Sequence, residues 1–173
     1  EQSEGKTSDK EEDKNKAEKK RFSTGLTLDD AMSIKKVIPG VVEVSPEIIV
    51  DLTVLRTGYK RTAKLVGVES SFFSMSDFKL AQGDLFSVLQ RELASPVCII
   101  GNGIRAKFFA QEEPVGKIIK CGNIWLTVVG VLQERKITDE NIKHLGIRNY
   151  NMDVYTPITT ALLKFKNRAL LTR

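Results

Sequence analysis

Between Val41 and Val68 the chain carries its apolar residues at a period of two. Ile48, Val50, Leu52 and Val54 fall on one side of an extended segment, and Thr57-Gly58 turns the chain into a second segment, Lys60 to Val68. Residues two apart share a face of a β-strand, so this stretch reads as a hairpin with one buried face. Val42 and Val44 follow the same alternation ahead of Ser45-Pro46. A half-apolar hairpin needs something to cover it, and the rest of the sequence is read for what that is.

Upstream the period is helical. Thr27 offers a side-chain oxygen as N-cap, Asp29 and Asp30 are acids in the first turn, and Leu28, Ala31, Ile34 and Ile38 keep helical spacing until Pro39-Gly40. Asp29 and Asp30 are therefore read as helix-start residues and not as a catalytic pair. Downstream, Gln82-Gly83-Asp84 marks a turn, with Phe72, Phe73, Phe78, Leu80, Leu85 and Phe86 around it as core anchors. Lys117 to Lys120, the turn Cys121-Gly122-Asn123 and Ile124 to Leu132 read as a second hairpin. A polar stretch over 133–150 is long for a loop in a compact domain and so is expected to be mobile or functional. It leads to a short strand, Met152 to Tyr155, and a helix-like segment, Ile158 to Phe165. The expected fold is α+β and β-rich, with two or three short helices and no repeat.

One motif points elsewhere. Val97 to Ile100 reads as a buried strand running into Gly101-Asn102-Gly103, with Ala106 at the third small position of a dinucleotide-binding turn. The remainder of that pattern is missing. Only about two helical turns follow, with Ile104, Phe108 and Phe109 as their apolar stripe, before Pro114 ends them. Where the ribose-binding acid belongs stands Asn123. The turn is read as scaffold, with a nucleotide-cofactor enzyme kept as an alternative.

Composition narrows the function further. Hydrophobic residues make up 41% of 173, enough for a core, and the net charge of +5 comes from basic residues scattered in ones and twos. Without an aromatic-rich basic run, nucleic acid is not the expected partner. Residues 1–21 balance acids against bases around one hydrophobic residue, Ala17, and are expected to be disordered or a solvated helix. The sequence shows neither a signal peptide nor an apolar stretch near the length of a membrane span. Cys98 and Cys121 allow one disulfide or two buried thiols, and their spacing has no metal-ligand pattern. A triad would have to use the single His144, which lies in the polar loop.

In order along the chain stand Leu26-Thr27-Leu28-Asp29-Asp30-Ala31, Pro39-Gly40-Val41 leading to Val44-Ser45-Pro46, Gly67-Val68 before Phe72-Phe73, and Gly83-Asp84-Leu85-Phe86. Then come Val97-Cys98-Ile99-Ile100-Gly101 leading to Lys107-Phe108-Phe109, Pro114-Val115-Gly116-Lys117, Val128-Val129-Gly130-Val131-Leu132, and Val154-Tyr155-Thr156-Pro157-Ile158-Thr159-Thr160-Ala161. This series resembles the extracytoplasmic core domain of MacB-like ABC transporter permeases, a group that includes FtsX-like and lipoprotein-releasing permeases.

The resemblance implies a porter-like βαβ half into which a sabre-like mixed α/β subdomain is inserted. Residues 22–56 would be the first porter-like segment, 57–155 the sabre-like part, and 156–173 the return to the porter, truncated because family members continue with a further strand and helix; residues 1–21 would be a charged lead outside a first membrane helix. It also implies a non-catalytic module on the outer face of the cytoplasmic membrane, without cofactor or metal. The module would couple ATP hydrolysis by a cytoplasmic ATPase to movement of a substrate, or to a periplasmic adaptor or cell-wall enzyme, in a homodimeric transporter. A free-standing binding or adhesion domain is the other alternative. Pro114, Gly116, Trp125 and Gly130 are expected to be structural, with Ile119, Trp125, Val128 and Val131 at the centre of the sabre-like half. Arg135, Lys136, Lys143 and Arg148 are expected to be exposed on the long loop, either contacting a partner or solvating a connector.

Overall fold

The computed structural model describes residues 26–136 and 148–165; residues 1–25 with the charged lead, residues 137–147 with Lys143 and His144, and residues 166–173 lie outside the described residues. The first element, α1 (Leu28–Val37), starts on a reciprocal cap. The Asp30 amide donates to Thr27 Oγ1 at 3.2 Å, and the Thr27 amide donates to Asp30 Oδ2 at 2.9 Å. Asp30 thus closes the first turn as a capping residue in addition to offsetting the helix dipole. After Pro39-Gly40 the alternation at Val42 and Val44 forms no strand: Val42 is exposed, and Val44 faces Ala31 across a groove.

The principal hairpin is as the alternation predicts. Strands β1 (Glu47–Arg56) and β2 (Tyr59–Val68) pair in unbroken register from Glu47 opposite Val68 to Arg56 opposite Tyr59. The two-residue turn between them holds Thr57 and Gly58 at φ of 42° and 82°, the left-handed pair that matches strand twist. The remaining strands are β3 (Leu80–Gly83), β4 (Val97–Ile100), β5 (Ile118–Cys121), β6 (Ile124–Leu132) and β7 (Val154–Pro157). Gln82 and Gly83, read from sequence as a turn, end β3 instead, because pairing with Val131 and Gly130 of β6 supplies partners that a local turn signal cannot anticipate.

Strand order is β3-β6-β4-β7-β2-β1-β5, and β5 also pairs with β6. That extra pairing closes β6-β4-β7-β2-β1-β5 on itself as a six-stranded ring, with β3 on its rim. Closure hides edges that would otherwise template aggregation. Inside lie Val54, Ala63, Leu65, Cys98, Ile100, Ile119, Leu126, Val128 and Val154. One end is filled by Ile104 and Phe108 of α4 (Asn102–Phe108), and the other is crossed by α5 (Ile158–Lys164), whose Ala161 meets Gly67.

A second core covers the outer face. Val66, Val68, Val97, Ile99 and Tyr155 point outward and pack under Phe72 and Phe73 of α2 (Ser71–Met75) and under Phe86. The aromatic reading therefore stands, except for Leu85, which is 41% exposed because only Phe86 of that pair turns inward. With α3 (Val88–Glu92), five short helices are described where two or three were expected. The additional ones are single turns of five residues held by caps and packing, too short to show a period.

Candidate functional site

At the glycine turn, Gly101 caps α4, and its amide donates to the carbonyl of Asp153 at 3.0 Å. The 3-10 turn Tyr150–Met152 packs directly on it: a side chain on Gly101 would run into the Asn151 carbonyl, and one on Gly103 into the Met152 sulfur. These residues are small because another backbone lies against them. The space a phosphate would need holds peptide.

Of the four cations expected on the long loop, Arg135 and Arg148 are tied down, and that expectation is corrected for both. Arg135 donates to the Ser76 carbonyl at 2.8 Å and lies 4.4 Å from the Phe78 ring centroid. Its amide donates to Asn151 Oδ1 at 2.9 Å. Arg148 Nε donates to Asp153 Oδ2 at 2.6 Å, and its guanidinium also stacks on Tyr150 and faces Glu47 at 3.8 Å. Burial raises the Asp153 pKa from its ordinary value although Arg148 pulls the other way, and burial likewise raises Tyr155. Both arginines are held because the segments leaving β6 and entering β7 run over the aromatic cluster. Lys136 is exposed.

Among the residues expected to be structural, Pro114 is buried, and its carbonyl accepts from the Lys117 amide at 3.1 Å. Gly116 sits at φ 83°, where its amide reaches the Val128 carbonyl at 2.7 Å. A Cβ on Gly130 would lie 2.8 Å from the Asp84 carbonyl oxygen. Trp125 is the exception: it is 56% exposed and not in the core. Leu126 and Val128 point into the ring, so Trp125 points out. Opposite Cys98 and Ile99 of β4 stand Val128 and Gly130, so Val129 is an extra residue in β6. This bulge flips the face beyond it, and Val131 turns inward again.

Both cysteines are free and fully buried. Burial pushes the Cys121 thiol up to about 12 and holds Cys98 well above its ordinary value, so neither forms an appreciable thiolate at neutral pH. We expect Ellman's reagent to label no thiol in the folded chain and both after denaturation; rapid labelling of either in the native state would contradict this packing.

What the sequence reading missed is a row of side chains across four strands. Lys60 pairs with Leu55, Leu55 with Lys120, and Lys120 with Trp125, all on the outer face of the ring. Ile118 lies on the same face two residues from Lys120, and the Lys120 ammonium sits 5.8 Å from the Trp125 ring centroid. With the hairpin tip, Leu55, Ile118 and Trp125 line a groove of about 560 Å³. Tyr59, Ile118 and Trp125 are each more than half exposed. The only signal available in the sequence was the pair of registers set by the two tight turns, and aligning them requires the β1–β5 contact.

Among the described residues no cluster of His, Cys, Asp and Glu could hold a metal ion. What the arrangement offers is a closed, buried scaffold carrying a basic and aromatic outer surface. Over residues 4–172 the sequence matches the model of the MacB-like periplasmic core domain, and the chain belongs to that family. It is 30% identical over 147 residues to the macrolide export ATP-binding/permease protein MacB of Photorhabdus laumondii, covering 84% of this chain and 22% of that protein. It is 33% identical over 137 residues to the MacB of Neisseria gonorrhoeae, covering 79% of this chain and 20% of that protein. The chain thus spans about a fifth of the length of these relatives. In structure it resembles the periplasmic region of MacB from Actinobacillus actinomycetemcomitans, with a TM-score of 0.69 at 22% identity over 85% of this chain and 62% of that one. It also resembles the extracellular domain of the ABC-type transporter YknZ from Gram-positive bacteria, with a TM-score of 0.68 at 21% identity over 81% and 66%. The homologues are extracytoplasmic domains of ABC permeases, and no described helix is long and apolar enough to cross a membrane.

Proposed function

We propose that this domain is a non-catalytic lever on the outer face of the cytoplasmic membrane, transmitting movement powered by an ATPase elsewhere in a dimeric transporter. Residues 22–56 and 156–173 would be its porter-like part, and 57–155 its sabre-like part. The observation that carries this reading is the long principal hairpin that spans the closed ring from a packed base to a free tip. Leu26 and α5 come together against Ile48 at the base of β1, and from there β1 and β2 run about 30 Å as one unbroken ladder to the hairpin tip. Displacement applied at the base would reach the tip because the ring between them is closed and packed. The relatives' names, which join ATP-binding and permease functions, support an ATPase in the same assembly. Lys136 and Lys143 keep the role of partner contacts.

The test uses the joint between α1 and β1. Gly40 has open space around it and a φ of 88°, so a flexible insertion there should leave the fold intact. Inserting about six Gly/Ser residues after Gly40 in the full transporter is expected to lower export several-fold while ATP hydrolysis continues. Undiminished export with an intact fold would remove the lever reading.

A further inference from the structure

The row Lys60–Leu55–Lys120–Trp125 has no structural duty that explains its composition. Leu126 and Ile119 fill the ring behind it, and Trp125 leaves more than half its surface to solvent. Lys60, Lys117 and Lys120 form no ion pair among the described residues, and no carboxylate lines the groove. The charge of Arg56, the fourth cation at its rim, is matched by Glu112 at 2.7 Å. An exposed tryptophan on the same face as Ile118, ringed by unmatched ammonium groups, has the make-up of a binding hot spot: apolar anchors for affinity, cations for charge complementarity.

From this geometry we infer that the groove is the docking site for an acidic segment of a partner protein, anchored by an apolar side chain laid on Trp125 and Ile118. Carboxylates of the segment would take Lys60, Lys117 and Lys120, and its aliphatic or aromatic anchor would fill the groove between Leu55 and Trp125. Tryptophan with lysine is also the composition of a membrane-facing patch. Position decides between the two. Leu55 is seven strand residues from Ile48, so the groove lies roughly 20 Å from the end where Leu26 and α5 gather. This step rests on the proposed attachment of that end to the membrane, which turns the groove toward a partner beyond it.

Trp125 is the sole tryptophan of the chain, so its emission reports on this groove alone. The 173-residue chain would be titrated with a peptide of about twelve residues carrying glutamates around a central leucine pair. The expected result is a saturable blue shift that weakens with salt. Charge reversal by Lys60→Glu, Lys117→Glu and Lys120→Glu together should reduce affinity about tenfold or more with an unchanged thermal transition. Trp125→Ala, followed by calorimetry, should lose binding and keep its melting temperature. No shift with the peptide, or equal affinity after charge reversal, overturns the proposal. A shift with phosphatidylglycerol vesicles and none with the peptide replaces it with a membrane contact, and a collapse in melting temperature of Trp125→Ala makes that residue structural after all. Peptide binding is read on the isolated chain and the lever on export by the full transporter, so either reading can fail without the other.

Discussion

Phe73→Ala is expected to lower the stability of the domain by about 3–5 kcal/mol, a large share of the roughly 5–15 kcal/mol typical of a domain. Phe73 is 1% exposed and sits where the outer core converges, with ring centroids of Phe72, Phe86 and Tyr155 at 5.5, 6.0 and 5.8 Å. Its neighbours are fixed by different elements: Tyr155 by β7, Phe72 by α2, Phe86 by the segment after β3. None can collapse into the vacated volume without moving its own element, which places the cost high in the range for large-to-small changes. A thermal midpoint lowered by on the order of 10 °C is the expected reading. Leu85→Ala, at a 41% exposed neighbour of Phe86, is the control. If the two variants lose the same stability, the outer aromatic cluster is not the anchor it is described to be.

The parts of this fold legible in sequence are those whose signals are local. The β1–β2 hairpin shows in ten-residue strands with one apolar face and a two-residue turn that accepts positive φ. The cap of α1 shows in Thr27 and the acid three residues on, and the passage from β4 to α4 in four buried apolar residues followed by glycine. The parts that escaped depend on contacts between distant residues. Nothing near Val129 announces a bulge; it arises because β6 must satisfy β5 along its first half and β4 and β3 along its second. Ring closure rests on Val54 and Leu55 meeting Cys121 and Lys120, more than sixty residues away. The same non-local origin explains why the site was read only in part. Trp125 was noticed and put on the wrong face, and its lysine companions come from strands that only the closed ring brings side by side.

Arg148 carries the sharpest consequence of that non-local packing. As a loop cation it would be dispensable for folding; in the structure its side chain is 17% exposed against an Asp153 carboxylate that is 3% exposed. Arg148→Ala would leave that carboxylate buried with its partner gone, for which a loss on the order of 3 kcal/mol at neutral pH is expected. The sign of the pH dependence follows from Asp153. Its folded pKa is already raised by burial, so the folded state takes up this proton more readily than the unfolded one. The group's contribution to stability is therefore fully present below the ordinary carboxylate pKa and is lost as pH rises through the folded value. Removing Arg148 removes the pull that opposes burial, raises the folded pKa further and widens that window toward neutrality. The stability gap between wild type and Arg148→Ala in urea should thus shrink between about pH 7.5 and about pH 4.5, because a protonated Asp153 no longer needs a cation. An equal gap at both pH values would mean that the arginine acts through its stacking on Tyr150 and not through the buried charge. Lys136→Ala, at an exposed position with no ion pair among the described residues, should stay within about 0.5 kcal/mol of wild type at either pH. Reversing all the loop cations together would therefore confound unfolding with loss of a partner contact, and of the described ones only Lys136 can report on that contact.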